Sequence, residues 1–75
     1  MSKLPAVRPS DAIAALRRAG FRPVRQSGSH LFLINDQTGR KTSVAIHAED
    51  LKAGTLHGIL RQAGLSREDF IRLLR

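Results

Sequence analysis

Apolar positions fall into one helical stripe, three strand-like runs and two further helical stripes. Ala12, Ile13, Leu16 and Ala19 lie at the spacing of a single helix face. Pro9-Ser10-Asp11 precedes them, with Ser10 the expected N-cap and Asp11 on the positive end of the dipole. Gly20 predicts the stop. From Phe21 to Gln26 the pattern alternates, with Phe21, Pro23 and Arg25 on one parity and Arg22, Val24 and Gln26 on the other. Pro23 lacks an N–H and assigns this piece to a sheet edge. His30 to Ile34 carries the unbroken run Leu31-Phe32-Leu33-Ile34, which predicts a strand buried on both faces.

Asn35 to Arg40 has turn chemistry throughout, and Lys41 to His47 returns as a strand, with Val44 and Ile46 on the face opposite Ser43 and Ala45. These two strands predict an antiparallel hairpin. Ala48 to Gly54 reads as a polar loop. Thr55 is then the expected cap of a helix bearing Leu56, Ile59, Leu60 and Ala63, ended by Gly64. Ser66-Arg67-Glu68-Asp69 forms a capping box before Phe70, Ile71, Leu73 and Leu74, which predicts a short third helix.

This order predicts an α+β fold: a helix, a three-stranded antiparallel sheet, a helix and a short C-terminal helix, with the helices on one sheet face. Residues 1–8 read as a flexible tail and 9–75 as one domain. A chain of 75 residues, 41% hydrophobic and 25% charged, suits one small core. No cysteine is present, which excludes disulfides and thiolate catalysis. No apolar run approaches the ~18 residues of a membrane span, and no secretory signal core is seen near Met1. No membrane partner is expected, and a cytoplasmic location is the default.

Charge narrows the partners. The formal net charge is +7, and most of the basic groups are arginine, whose planar fork suits phosphate oxygens. A polyanion, RNA above all, is the favoured ligand. With three Phe and no Trp or Tyr, an aromatic platform of the RNA-recognition-motif kind is not expected. The candidate chemistry gathers at Gly28-Ser29-His30. A histidine can exchange a proton near neutrality, and here it would be held at the head of a strand. His30 is therefore the candidate general base when neutral, or general acid when charged. Its bland reading is a strand-edge histidine bonded to a carbonyl. Gly28 and Ser29 are candidates to orient phosphate, and Arg25 and Lys41 are candidate cations. His47 and His57 read as structural and helix-surface residues, and no histidine spacing supports a metal site. Gly54-Thr55 reads as helix capping rather than as an anion site.

The element order resembles the double-stranded-RNA-binding fold. More specifically, Ala15-Leu16 to Ala19-Gly20-Phe21, Val24-Arg25-Gln26 and Gly28-Ser29-His30 resemble the signature of HicA-type toxins. The similarity continues through Val44-Ala45-Ile46-His47, Gly54-Thr55-Leu56 and Ile59-Leu60-Arg61-Gln62-Ala63-Gly64-Leu65, over residues 10–74. It implies a metal-free, cofactor-free endoribonuclease (an mRNA interferase) of a type II toxin–antitoxin pair. It also implies an mRNA substrate and inhibition by a HicB-type antitoxin. The family's catalytic histidine corresponds to His30. One departure is Ala45, where the family often has proline two residues before the histidine ending the third strand. Two alternatives remain from the residues themselves: a non-catalytic basic RNA-binding module, and a protein-interaction domain whose basic face meets an acidic partner.

Overall fold

Helical stripes and sheet close on each other as the pattern requires. The computed structural model describes residues 4–46 and 49–74. It contains α1 (Pro9–Arg18), β1 (Phe21–Ser27), β2 (His30–Asn35), β3 (Lys41–Ala45), α2 (Ala53–Ala63) and α3 (Arg67–Leu73). The three strands form one antiparallel sheet in the order β1-β2-β3. The expected α+β arrangement is thus observed, with Pro23 on an edge strand.

Two apolar clusters form the core. Val7, Ala12, Ala15, Leu56, Leu60 and Phe70 join α1, α2 and α3. Leu16, Phe21, Leu33, Val44, Ile59 and Ala63 join α1 and α2 to the sheet. Leu51 and Leu65 pack against both clusters and bind them into one interior. The polar groups taken into this core find partners. Thr42 Oγ1 donates to Gln62 Oε1 of α2 at 2.8 Å. Buried Asn35 donates from Nδ2 to the Ala19 carbonyl, and its Oδ1 accepts from the Gln37 and Thr38 amides. One asparagine therefore ties the end of α1 to the β2–β3 turn, with a partner for both its amide oxygen and its amide nitrogen.

The helix ends differ in part from expectation. Gly64 closes α2 in the left-handed region at φ 73°, as predicted. The Ser66 hydroxyl accepts from the Asp69 amide at 3.0 Å, the expected cap of α3. Two other caps are displaced. The N-cap of α1 is Arg8, not Ser10, because Pro9 takes the first helical position, where its missing N–H costs nothing. Helix α2 begins at Ala53 with Lys52 as N-cap, so Thr55 lies inside its first turn. Neither end has a side-chain cap.

Two further expectations need correction. Val7, assigned to the tail, is 1% exposed and forms an antiparallel bridge to Leu51, whose amide donates to the Val7 carbonyl at 2.7 Å. This isolated bridge ties the segment before α1 to the one before α2 and places Val7 in the core. Strand β2 is covered on one face only: Leu33 is buried against the helices, while Phe32 and Ile34 stand half-buried on the open side. All the helix-to-sheet packing is on the other side, so the apolar run of β2 includes uncovered residues. The expected strand end at His47, and Ala48 after it, lie outside the described residues.

Candidate functional site

The site is built by a tight turn at one end of β2 and a bulge in β1. Ser27 pairs with His30, leaving Gly28 and Ser29 as a two-residue hairpin loop. Gly28 has φ 57° while Ser29 is not in the positive region, the combination a type II′ turn demands at its first central position. A Cβ on Gly28 would meet nothing within 4 Å, so the glycine answers to backbone conformation and not to crowding. Gln26 Nε2 donates to the Gly28 carbonyl at 3.2 Å and braces the turn.

His30 follows directly and is exposed, as are Gly28 and Ser29. Its pairing with Ala45 on β3 is of the non-hydrogen-bonded kind, because the flanking Ile46 amide donates to the Ser29 carbonyl at 2.6 Å. Side chains approach closely in such pairs, and alanine's single methyl leaves the flank of the imidazole open. In the same geometry the Ala45 N–H points away from β2. A proline there would remove no bond from the β2–β3 ladder, so the Ala45 departure leaves the course of β3 unchanged through that residue. His30 also lines a groove of about 300 Å³ with Glu49, Asp50, Leu51 and Thr55, at the entry to α2. Among the described residues the imidazole has no hydrogen-bond partner.

Arg25 reaches this face only because of an irregularity. The β1–β2 register runs regularly to Pro23↔Leu33, then skips Val24 and resumes at Arg25↔Phe32. A β-bulge of this kind inverts the side-chain alternation beyond it. Arg25 therefore leaves the parity of Phe21 and Pro23 and stands with Phe32, its guanidinium carbon 4.5 Å from the ring centroid. Phe32 is two residues from His30, about 7 Å along the strand. Lys41 pairs with Ile34 instead, at about 13 Å by the same spacing, and belongs to the far end of the face. The structure thus brings His30, Ser29, Gly28 and Arg25 to one half of the open face and Lys41 to the other.

The sequence does not single out Phe32, because its apolar run predicts burial on both faces. Nor does it single out Arg22. Its Nε and Nη2 donate to the two Asp36 carboxylate oxygens, at 2.6 and 3.1 Å. This hydrogen-bonded pairing raises the Arg22 pKa and lowers that of Asp36. His57 is exposed on α2, and His47 lies outside the described residues. Among the described residues no group of three or more His, Cys, Asp or Glu is placed to hold a metal ion.

A family model described as the HicA toxin of bacterial toxin–antitoxin systems matches residues 9–65. The chain belongs to the HicA toxin family. No curated protein gives a significant match. The HicA match runs from the first residue of α1, through the whole sheet, to the segment just past α2. It therefore contains His30, Arg25 and Lys41, while α3 lies beyond it. Membership makes this protein the toxin of a toxin–antitoxin pair, in a family of generally RNase-type toxins, and implies an antitoxin as partner. Among the described residues, no helix of this HicA chain is long and apolar enough to cross a membrane.

Proposed function

We propose that this HicA-family toxin is a metal-independent endoribonuclease that cleaves cytoplasmic mRNA, with His30 as its proton-transfer residue. The carrying observation is the exposed His30, at the head of a rigid central strand, on the face to which the bulge brings Arg25. Neutral His30 accepts the 2′-hydroxyl proton as the 2′-oxygen bonds to phosphorus. The P–O5′ bond breaks, and water supplies the proton to the departing 5′-oxygen. The products are a 2′,3′-cyclic phosphate and a 5′-hydroxyl end. Arg25 offers a fork of N–H donors to the phosphate as its charge becomes concentrated, and the exposed Ser29 hydroxyl is available to orient it. A HicB-type antitoxin silences the toxin by covering His30, which excludes the substrate.

The test is cleavage of an RNA by wild type and by His30→Ala, each shown to be folded by circular dichroism. Loss of roughly 10²–10⁴-fold in rate is expected, the usual worth of one positioned proton-transfer group. Activity should persist in excess chelator. Equal cleavage by the two proteins would remove His30 from the mechanism. Salt-sensitive binding with no turnover by either would leave a non-catalytic RNA-binding module.

A further inference from the structure

The Arg25–Phe32 contact lies outside the proton chemistry and is the best-formed feature of the open sheet face. Around it Arg22, Val24, Ile34 and Lys41 line a depression of about 410 Å³. That volume is within the range of small-ligand sites. The floor is apolar, and Val24 is 48% exposed at its edge. The rim is cationic. Arg22 is held by Asp36, while Arg25 lies over the ring and Lys41 stands at the far end. A flat guanidinium over an aromatic floor, bordered by cations, is complementary to a nucleotide: a planar base for the stack, and phosphates for the rim. An acidic peptide would satisfy the charges but would leave the planar surface unused.

We infer that the planar Arg25 guanidinium, placed over Phe32 with its central carbon 4.5 Å from the ring centroid, is the stacking subsite for one unpaired base of a single-stranded RNA substrate, next to the phosphate at His30. Lys41, farther along the same face, takes a phosphate beyond that base. The inference rests on the RNA reading of the site and adds its substrate class. Bases within a duplex are stacked on their neighbours and do not present a free face to such a platform. Phe32 is here a positioning residue, fixing the plane of Arg25.

The test uses fluorescence anisotropy with 2′-O-methyl hexanucleotides, whose blocked 2′-oxygens cannot act as nucleophile, so the wild-type chain serves unaltered. A single abasic position is walked along the strand. At one position wild-type affinity should fall about 5–150-fold, the size of one base–aromatic stack. Arg25→Lys, which keeps charge and loses the plane, should show the same fall on the intact strand and no further fall on that abasic strand. Its salt slope should be unchanged, whereas Lys41→Gln should flatten the slope by about 0.7. Phe32→Leu, checked by circular dichroism, should reproduce Arg25→Lys. Affinity that ignores base removal overturns the stacking subsite alone. So does wild-type binding by both Arg25→Lys and Phe32→Leu. No salt-dependent binding of any strand overturns the RNA reading as a whole.

Discussion

Strand β2 presents two surfaces with opposite duties. On one, Leu33 is fully buried beneath the helices, with Leu31 half-buried beside it. On the other, His30 is exposed, and Phe32 and Ile34 are only half covered. Residues one position apart, 3.3 Å of strand, thus answer to different selection. The inner face is set by close packing. The outer face is free to carry charge and an exposed imidazole, because nothing there is needed to hold the helices. Stability and activity should therefore come apart along a single strand.

The largest contrast is between Leu33→Ala and His30→Ala. Leu33→Ala empties a packed site and should lower unfolding free energy by about 2–5 kcal/mol in urea titration. For so small a domain that is enough to leave much of the chain unfolded. His30→Ala should change stability by no more than about 0.5 kcal/mol, as surface substitutions do. Its effect should appear in cleavage alone. If His30→Ala unfolds the chain as Leu33→Ala does, the two faces are not separate.

Two glycines refine the comparison at a smaller scale. Gly28 and Gly64 both have positive φ, at 57° and 73°. An alanine at either should cost about 1–2 kcal/mol from backbone strain. At Gly64 the added Cβ also falls 2.6 Å from Arg40 Nε, but that side chain is exposed and can move aside. Similar losses of stability are expected. Cleavage per folded molecule should fall only for Gly28→Ala, because the II′ turn sets where His30 enters the strand. Equal cleavage losses in both variants would mean that the turn positions nothing.

Much of this was readable in the sequence, and the failures have common causes. The α2 stripe of Leu56, Ile59, Leu60 and Ala63, the Gly64 stop and the Ser66 cap depend on local spacing, and each is observed. His30 was legible because a flexible Gly-Ser pair meets an apolar run there. Charge singles out Arg25, but simple alternation places it on the parity of Phe21 and Pro23. Its true face depends on the unpaired Val24, and strict alternation has no signal for a bulge. The open face of β2 was illegible because an apolar run looks the same whether one side or two are covered. Val7 joined the core through a long-range bridge to Leu51, which residue order cannot announce. The early starts of α1 and α2 reflect proline geometry and tertiary packing prevailing over cap propensity.

The bulge can be tested by removing it. Deleting Val24 brings Pro23↔Leu33 and Arg25↔Phe32 into consecutive register and leaves Gln26↔Leu31 and Ser27↔His30 intact. The shortened chain should fold, with Tm moved by less than about 8 °C, near 1 kcal/mol at this size. Arg25 should stay on the open face. Were strict alternation correct instead, the deletion would turn Arg25 and Ser27 together to the other face and cost far more.

The smallest effect expected lies at the Arg22–Asp36 pair, on the open face with both side chains exposed. Its hydrogen bonds hold Asp36 below the ordinary carboxylate pKa of 3.8. A carboxylate with depressed pKa in the folded state contributes stability above its unfolded pKa, and loses that contribution as pH falls through the folded value. Wild type and Asp36→Asn should thus be equally stable in strong acid. They should separate slightly as pH rises toward 3.8, with wild type the more stable and the gap complete above that value. Screening should close the gap in about 1 M salt, where the Debye length is roughly 3 Å. A gap that survives both acid and salt would show that Asp36 supports the β2–β3 turn through something other than its charge.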